Sequence, residues 1–275
     1  MPADDRSIHE EESVSLGTED AVDDTEDLDD EYVEIQKTIS NSRRQKGKDV
    51  DIKVQDILPF PFLPNIRPLT VSDIDSCVAL ENAAFADPHH RCSREKFEYR
   101  LSSCPELCMG IFCTVSPGSA KGWEIETCRT AKPVETGRDD GSVSVLFAHI
   151  VGTRCCGEVV TDSDMGYPSD FRTAKTGSSN IGHLEDGRTV AIHSLAVHPK
   201  LQGCGLGKLI MKAYMQQINN SGTADRIALI AQSYLVNYYI RFGFVHRGES
   251  SATFGGGGWH DLNITLAGPA GPPKK

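Results

Sequence analysis

No run of apolar residues in this 275-residue chain approaches the ~18 that a membrane-spanning helix requires. The N-terminus also lacks the basic-then-apolar pattern of a secretory signal, so the expected address is cytoplasmic, with no membrane partner. Nine cysteines are present but no Cys-x-x-Cys pair. Cys104, Cys108 and Cys113 are too loosely spaced for a zinc site, and Cys155 and Cys156 are adjacent. An odd count without a signal argues against a disulfide framework. The expectation is small buried hydrophobes and no metal. Aromatic residues are nearly missing from residues 1–55, which are polar and acidic. Such a segment buries too little apolar surface to offset its ordering entropy, and it reads as a disordered tail.

Basic surplus is lacking as well. Residues 1–31 hold fourteen Asp or Glu against one Arg, a net of −13 where the whole chain carries −11, so the remainder is +2. The acidity belongs to the tail and the rest is nearly neutral. Neither part offers the basic face that nucleic acid requires. The cluster Arg43-Arg44-Gln45-Lys46-Gly47-Lys48 reads as a solvated linker. The proline-stiffened arm Leu58-Pro59-Phe60-Pro61-Phe62-Leu63-Pro64 leads into one folded domain spanning 56–267, and residues 268–275 form a flexible Gly/Pro-rich end.

Within that domain, Ile66–Leu69 reads as a first strand. Thr70-Val71-Ser72-Asp73 has the capping-box form that opens a helix bearing Ile74, Cys77, Val78 and Phe85. Ser93 caps a second helix with Phe97 and Leu101. Residues 109–115 and 143–151 are β-rich and suited to an antiparallel pair. Two polar insertions, roughly 117–141 and 161–187, read as long surface loops. Thr189–Val197 is a strand, 206–218 a helix, 226–231 a buried strand and 235–242 a helix closed by Gly243. Residues 244–247 and 259–266 complete the sheet. This order implies a parallel crossover joined to antiparallel neighbours.

The chemistry concentrates at Gln202-Gly203-Cys204-Gly205-Leu206-Gly207-Lys208. Glycines let backbone N–H groups converge where a helix begins, and unpaired amides and the positive end of the helix dipole meet there. That is an anion site suited to a diphosphate. A Walker A loop would need Gly at 202 and Ser or Thr at 209, where the chain has Gln and Leu. A dinucleotide fingerprint would need Gly at 208, which is Lys.

With the strand before it, the turn resembles motif A of the GNAT acetyltransferase superfamily. More narrowly, the chain resembles the arylalkylamine (serotonin) N-acetyltransferase family and its fungal branch. The resemblance is carried by Cys104-Pro105-Glu106-Leu107-Cys108-Met109-Gly110, Ile192-His193-Ser194-Leu195-Ala196-Val197, Tyr239-Ile240-Arg241-Phe242-Gly243-Phe244 and Phe254-Gly255-Gly256-Gly257-Gly258-Trp259. It implies an α/β (α+β) fold: a central mixed, mostly antiparallel sheet with helices on both faces and one parallel crossover at the CoA site. It further implies acetyl-CoA as co-substrate, with the pantetheine arm beside Leu195, Ala196 and Val197 and the diphosphate on Gln202 to Lys208. The expected activity is direct acetyl transfer to a small primary amine, arylalkylamines first and polyamines second, by a monomer. A protein N-acetyltransferase and a non-catalytic CoA-binding module remain as alternatives.

An alkylamine is protonated at neutral pH, and only the free amine attacks a thioester, so a group titrating near neutrality is needed. His193 and His198 are the candidates. Strict alternation places His193 on the face of Leu195 and Val197, with His198 opposite, unless a bulge reverses that parity. His193 is favoured. The vertebrate enzymes of the family carry a second histidine where this chain has Ala191, so a two-histidine relay is absent. Tyr239 matches the family tyrosine and is expected to hydrogen-bond the departing thiolate, with Tyr238 a packing residue. Phe85 is expected to wall the amine, and Glu106 and Leu107 to shape the pocket mouth.

Overall fold

The computed structural model describes residues 53–58, 60–116, 133–173 and 180–269. All lie in the unit Lys48–Lys275. The expectations for the acidic tail, for most of the first insertion and for the last residues lie outside the described residues. At the near edge of the unit, Val54 is fully buried and packs with Leu58, Phe60 and Phe62 against Leu201, Cys204 and Leu206. Gln55 braces this arm: its Nε2 donates to the Phe60 carbonyl at 3.0 Å and its Oε1 accepts from the Phe62 amide at 2.7 Å. Packed structure therefore starts before residue 56. At the other end Gly268 is fastened by two hydrogen bonds to Asn219, so it is not yet tail.

Among the described residues, eight strands form one sheet: β1 (Pro64–Pro68), β2 (Cys108–Val115), β3 (Pro133–Glu135), β4 (Val143–Cys155), β5 (Thr189–Val197), β6 (Arg226–Ala231), β7 (Val245–Glu249) and β8 (His260–Thr265). Their spatial order is β1-β2-β4-β5-β6-β8-β7, with β3 pairing β4 off this path. Among the described residues, only β5 and β6 run parallel. The helix that crosses between them, α4 (Leu206–Ser221), follows the glycine turn. The mixed, mostly antiparallel sheet with one parallel pair is the architecture implied by the resemblance.

Helices cover both faces. Against one face pack α1 (Ile74–Ala84) and α2 (Arg94–Ser103), whose Cys77, Leu80, Phe97 and Leu101 meet Val151 and Ala196. Against the other lies α4, whose Ile210, Met211 and Tyr214 meet Ile150, Val190 and Ile192. A short helix α5 (Val236–Ile240) joins that second core through Tyr239. The second insertion departs from a surface loop. It contains a helical turn, α3 (Asp162–Met165), whose Met165 is buried together with Val160, just before the insertion, against Ala191 and Ala228. Tyr167 and Phe171 stack on Tyr99 of α2. Met165, Tyr167 and Phe171 thus find their partners across the chain.

The decisive irregularity is in β5. Ser194 pairs with Val151 and Ile192 with Gly152, so His193 is an extra residue in the β4–β5 ladder, a bulge. Val190 and Ile192 before it, and Leu195 and Val197 after it, pack toward α4. His193 bonds to Thr153 and Met165, and Ser194 to Glu81 on α1. Two consecutive side chains therefore face the α1–α2 side. The alternation expected for His193 is reversed: it lies opposite Leu195 and Val197. Parallel pairing of β5 with β6 also stops at Ile192–Leu229, although both strands continue.

Gly152, across from the bulge, has no room for a side chain. A Cβ there would lie 2.5 Å from Tyr214 Oη and 3.0 Å from the Ala191 carbonyl. That phenol donates a buried hydrogen bond to the Leu107 carbonyl at 2.9 Å. Gly152→Ala is expected to destabilise the protein by about 1–3 kcal/mol in urea unfolding, through overpacking and loss of that bond.

Candidate active site

Where β5 and β6 part, a cleft encloses about 650 Å³, part of it continuous with solvent. Ile192 to Leu195 form one wall and Leu229 to Gln232 the other. Because the cleft passes through the sheet, residues from both faces reach it: His193, Ser194 and Phe85 from the α1 side, Tyr239 and Leu235 from the α5 side. His193, Tyr239, Phe85 and Leu195, named from sequence, are thus brought together. Glu106 and Leu107 are not. Leu107 is core, and the Glu106 carbonyl accepts from Gln217 on α4, away from the lining. Their expected place at the pocket mouth is corrected by this packing.

His193 is held at both ring nitrogens. Nε2 lies 2.7 Å from Thr153 Oγ1 and Nδ1 lies 3.1 Å from Met165 Sδ. Burial first, then the positive charges of Arg100 and Lys96, hold its pKa well below the ordinary histidine value. The ring is therefore neutral at physiological pH. Arg100 is itself buried, and its guanidinium reaches Cys92 Sγ at 3.3 Å and the Met165 carbonyl at 3.2 Å. His198 takes no part in the cleft: its ring is buried edge-on to Phe147, and burial together with Lys200 lowers its pKa to about 4.

Tyr239 packs edge-to-face with Tyr238 and Phe244. Burial raises its pKa, so the phenol keeps its proton. Tyr238 packs on Tyr239 and Phe242, and its hydroxyl lies against Gly207, where an added Cβ would sit 3.0 Å from it. Gly203 and Gly205 adopt positive φ of 78° and 98°, a region that favours glycine, and Gly205 caps α4. Among the described residues nothing approaches a Cβ at Gly203 within 4 Å. The amides of the first turn of α4 have no partner within the helix, and no acidic residue stands there. A diphosphate fits this cradle, with Lys208 exposed beside it. Gln202 Nε2 donates to the Val197 carbonyl at 3.2 Å, tying the turn to the end of β5.

Sequence reasoning missed several lining residues. Met165 comes from the second insertion, and His90, Phe254 and Trp259 close the far end of the cleft. His90 and Trp259 rings are 4.9 Å apart, and Asp162 accepts from the amides of Thr253 and Phe254, anchoring the glycine loop. Pro88-His89-His90 and Phe254–Trp259 stood out in sequence, but nothing local showed that they meet.

Residues 167–266 match the family described as acetyltransferase (GNAT) domain. The chain is 26% identical to serotonin N-acetyltransferase of Mesocricetus auratus over 202 residues, covering 73% of this chain and 76% of that protein. It is 27% identical to the Macaca mulatta enzyme over 194 residues, covering 70% and 78% respectively. Among solved structures, the GphF GNAT-like decarboxylase in complex with isobutyryl-CoA aligns over 74% of this chain and 99% of its own, at 13% identity and a TM-score of 0.49. Among the described residues, no helix is long and apolar enough to cross a membrane. Nor do three or more His, Cys, Asp or Glu converge there on a metal-sized site.

The depressed histidines give a stability prediction. A histidine buried neutral takes up a proton more readily when unfolded. The stability it contributes is present above the ordinary value of about 6.5 and is lost as pH falls toward the folded value. For His198 the window runs from about 6.5 to about 4. Melting temperature should fall across it, and His198→Gln should make the fall shallower when the two proteins are melted side by side.

Proposed function

We propose that this protein moves acetyl from acetyl-CoA directly to the primary amine of a small arylalkylamine, tryptamine- or serotonin-like, with polyamines as the second acceptor class. The observation that carries this reading is the gap between β5 and β6. It gathers His193, on the strand that leads into the glycine turn, and Tyr239 from opposite faces of the sheet. The likeness to serotonin N-acetyltransferases and the aromatic lining from Phe85, Phe254 and Trp259 support an aromatic amine.

In this reading the diphosphate rests on Gln202, Gly203, Cys204, Gly205, Leu206, Gly207 and Lys208. The backbone of Leu195, Ala196 and Val197, beyond the reach of β6, takes the pantetheine arm as an added strand and polarises the thioester carbonyl. The amine nitrogen, freed of its proton, attacks the carbonyl carbon. The carbon–sulfur bond then breaks, and the thiolate leaves toward Tyr239, whose protonated phenol donates a hydrogen bond to the developing charge. His193, whose imidazole Thr153 and Met165 lock in place, walls the acceptor side of the cleft. The catalytic unit runs from the Lys53 arm to about residue 267, and the acidic segment before it is dispensable for chemistry.

An acetyl-CoA assay over arylalkylamines, polyamines and peptides tests the reading. Turnover is expected with small amines, and at least tenfold losses for His193→Ala and Tyr239→Phe. CoA binding without turnover on any acceptor would show a binding module, and peptides outcompeting small amines would show a protein acetyltransferase. Gly207→Val should weaken CoA in equilibrium binding, because its side chain must displace Tyr238 from the turn. Unchanged affinity would move the diphosphate elsewhere.

A further inference from the structure

Beneath the cleft, on the α1 side, lies a polar cluster that the reaction as described leaves unused. Glu81 of α1, His149 of β4 and Ser194 of β5 are all buried. Ser194 Oγ donates to Glu81 Oε2 at 2.7 Å, His149 Nε2 lies 2.9 Å from the same oxygen, and the Cys92 amide donates to Glu81 Oε1 at 2.8 Å. His149 Nε2 is also 3.1 Å from Ser194 Oγ, and its Nδ1 has no hydrogen-bond partner among the described residues. The carboxylate therefore collects three donors, with the imidazole hydrogen on Nε2. Phe97 covers the histidine ring edge-on. Other ionisable groups near the cluster are Cys77 on α1, Cys92, and Arg100 on α2, which contacts Cys92 Sγ.

Ser194 is the one member that lines the cleft, and it stands next to His193 on the same face because of the bulge. His193 has both ring nitrogens engaged, and position 191, two residues earlier, is alanine. Resting on the acetyl-transfer reading, we propose that Ser194 and Glu81, with His149 as positioning residue, form a proton relay that takes the proton from the ammonium of the acceptor. The ammonium N–H proton passes to Ser194 Oγ as the serine's own proton passes to Glu81 Oε2, turning the carboxylate into a carboxylic acid. A hydroxyl can both donate and accept, which this handover requires. The nitrogen's remaining excess proton goes to the thiolate during acetyl transfer. Glu81 returns its proton through the same hydroxyl to solvent once the amide leaves. His149 holds the receiving oxygen on the serine through its Nε2–H and neither gains nor loses a proton.

A purely structural clamp would connect α1, β4 and β5 with the same bonds, so the test must read proton removal. It uses the full chain and two matched acceptors: the best accepted amine from the assay above and its β,β-difluorinated analogue, whose ammonium is far more acidic and is largely neutral already at pH 7.5. For Ser194→Ala and Glu81→Gln, the loss in kcat/KM on the ordinary amine should exceed the loss on the fluorinated one by about tenfold or more. The difference should shrink as pH rises. Equal losses on both acceptors, or no loss on either, would overturn the relay and leave a clamp. Ser194→Ala removes a single hydroxyl and Glu81→Gln keeps the side chain's shape, so melting curves identify a variant that fails to fold while the other still reads. Wild-type protein that acetylates no amine in the panel would overturn the acetyltransferase reading and the relay with it. Wild-type turnover with unaffected variants would overturn the relay alone.

Discussion

One inserted residue shapes the cleft and the polar groups that line it. With His193 as an extra residue in β5, the β4–β5 ladder stays continuous on either side of it, while β5 and β6 part beyond Ile192 and Leu229. A regular strand would have continued its parallel pairing and sealed the sheet. The bulge instead leaves backbone polar groups of 195–197 turned toward a gap, and such groups require partners. It also sets His193 and Ser194 on one face together, which strict alternation forbids. The cleft, the exposed strand edge and the paired polar side chains therefore have a common origin.

That origin is invisible to pattern reading. The alternation of 189–197, the buried run 226–231 and the glycines at 203–207 were legible, because period and glycine placement are local properties. The observed β5 and β6 end where those patterns end. A bulge adds a residue without changing composition, so the sequence could raise a parity reversal but could not locate it. Glu81 did leave a trace. It stands four residues after Cys77 and four before Phe85, a charged residue on the apolar stripe of α1. His149 likewise interrupts the apolar run 145–151. Either alone reads as an exception; only the tertiary structure shows that the two exceptions meet. The helical turn at 162–165 was missed for another reason: its buried side chains are scattered among polar ones and gain partners only across the chain.

Burying this much polarity carries a cost that packing alone does not offset. A buried charge or hydroxyl is tolerable when its hydrogen bonds are made, and costs several kcal/mol when they are not. Glu81 meets that condition with three donors. Arg100 meets it less fully, since its partners are a thiol and a carbonyl and its Nε has none among the described residues. Cys92 touches both, accepting from the guanidinium at sulfur and donating to the carboxylate from its amide. Two buried charges of opposite sign thus share one neutral neighbour instead of forming a direct pair. The arrangement sets the positive charge of Arg100 beside His193, where it depresses the imidazole, and leaves the negative charge of Glu81 with Ser194.

In the proposed mechanism, the consequence is a division of labour between adjacent residues. An imidazole kept neutral by burial and by Arg100, with both nitrogens engaged, makes a rigid wall but a weak proton acceptor, since a base must hold the proton it takes. With alanine at 191, no neighbouring imidazole stands in line to receive that proton. A carboxylate one hydroxyl away, with its own imidazole partner, meets the need without a second histidine in the strand. The separation of roles depends on the bulge. Remove the extra residue and either His193 or Ser194 turns to the α4 face, so that one of them leaves the other without its partner at the acceptor nitrogen. In the proposed mechanism, the acceptor wall and proton removal are thus coupled through a backbone irregularity rather than through a shared side chain.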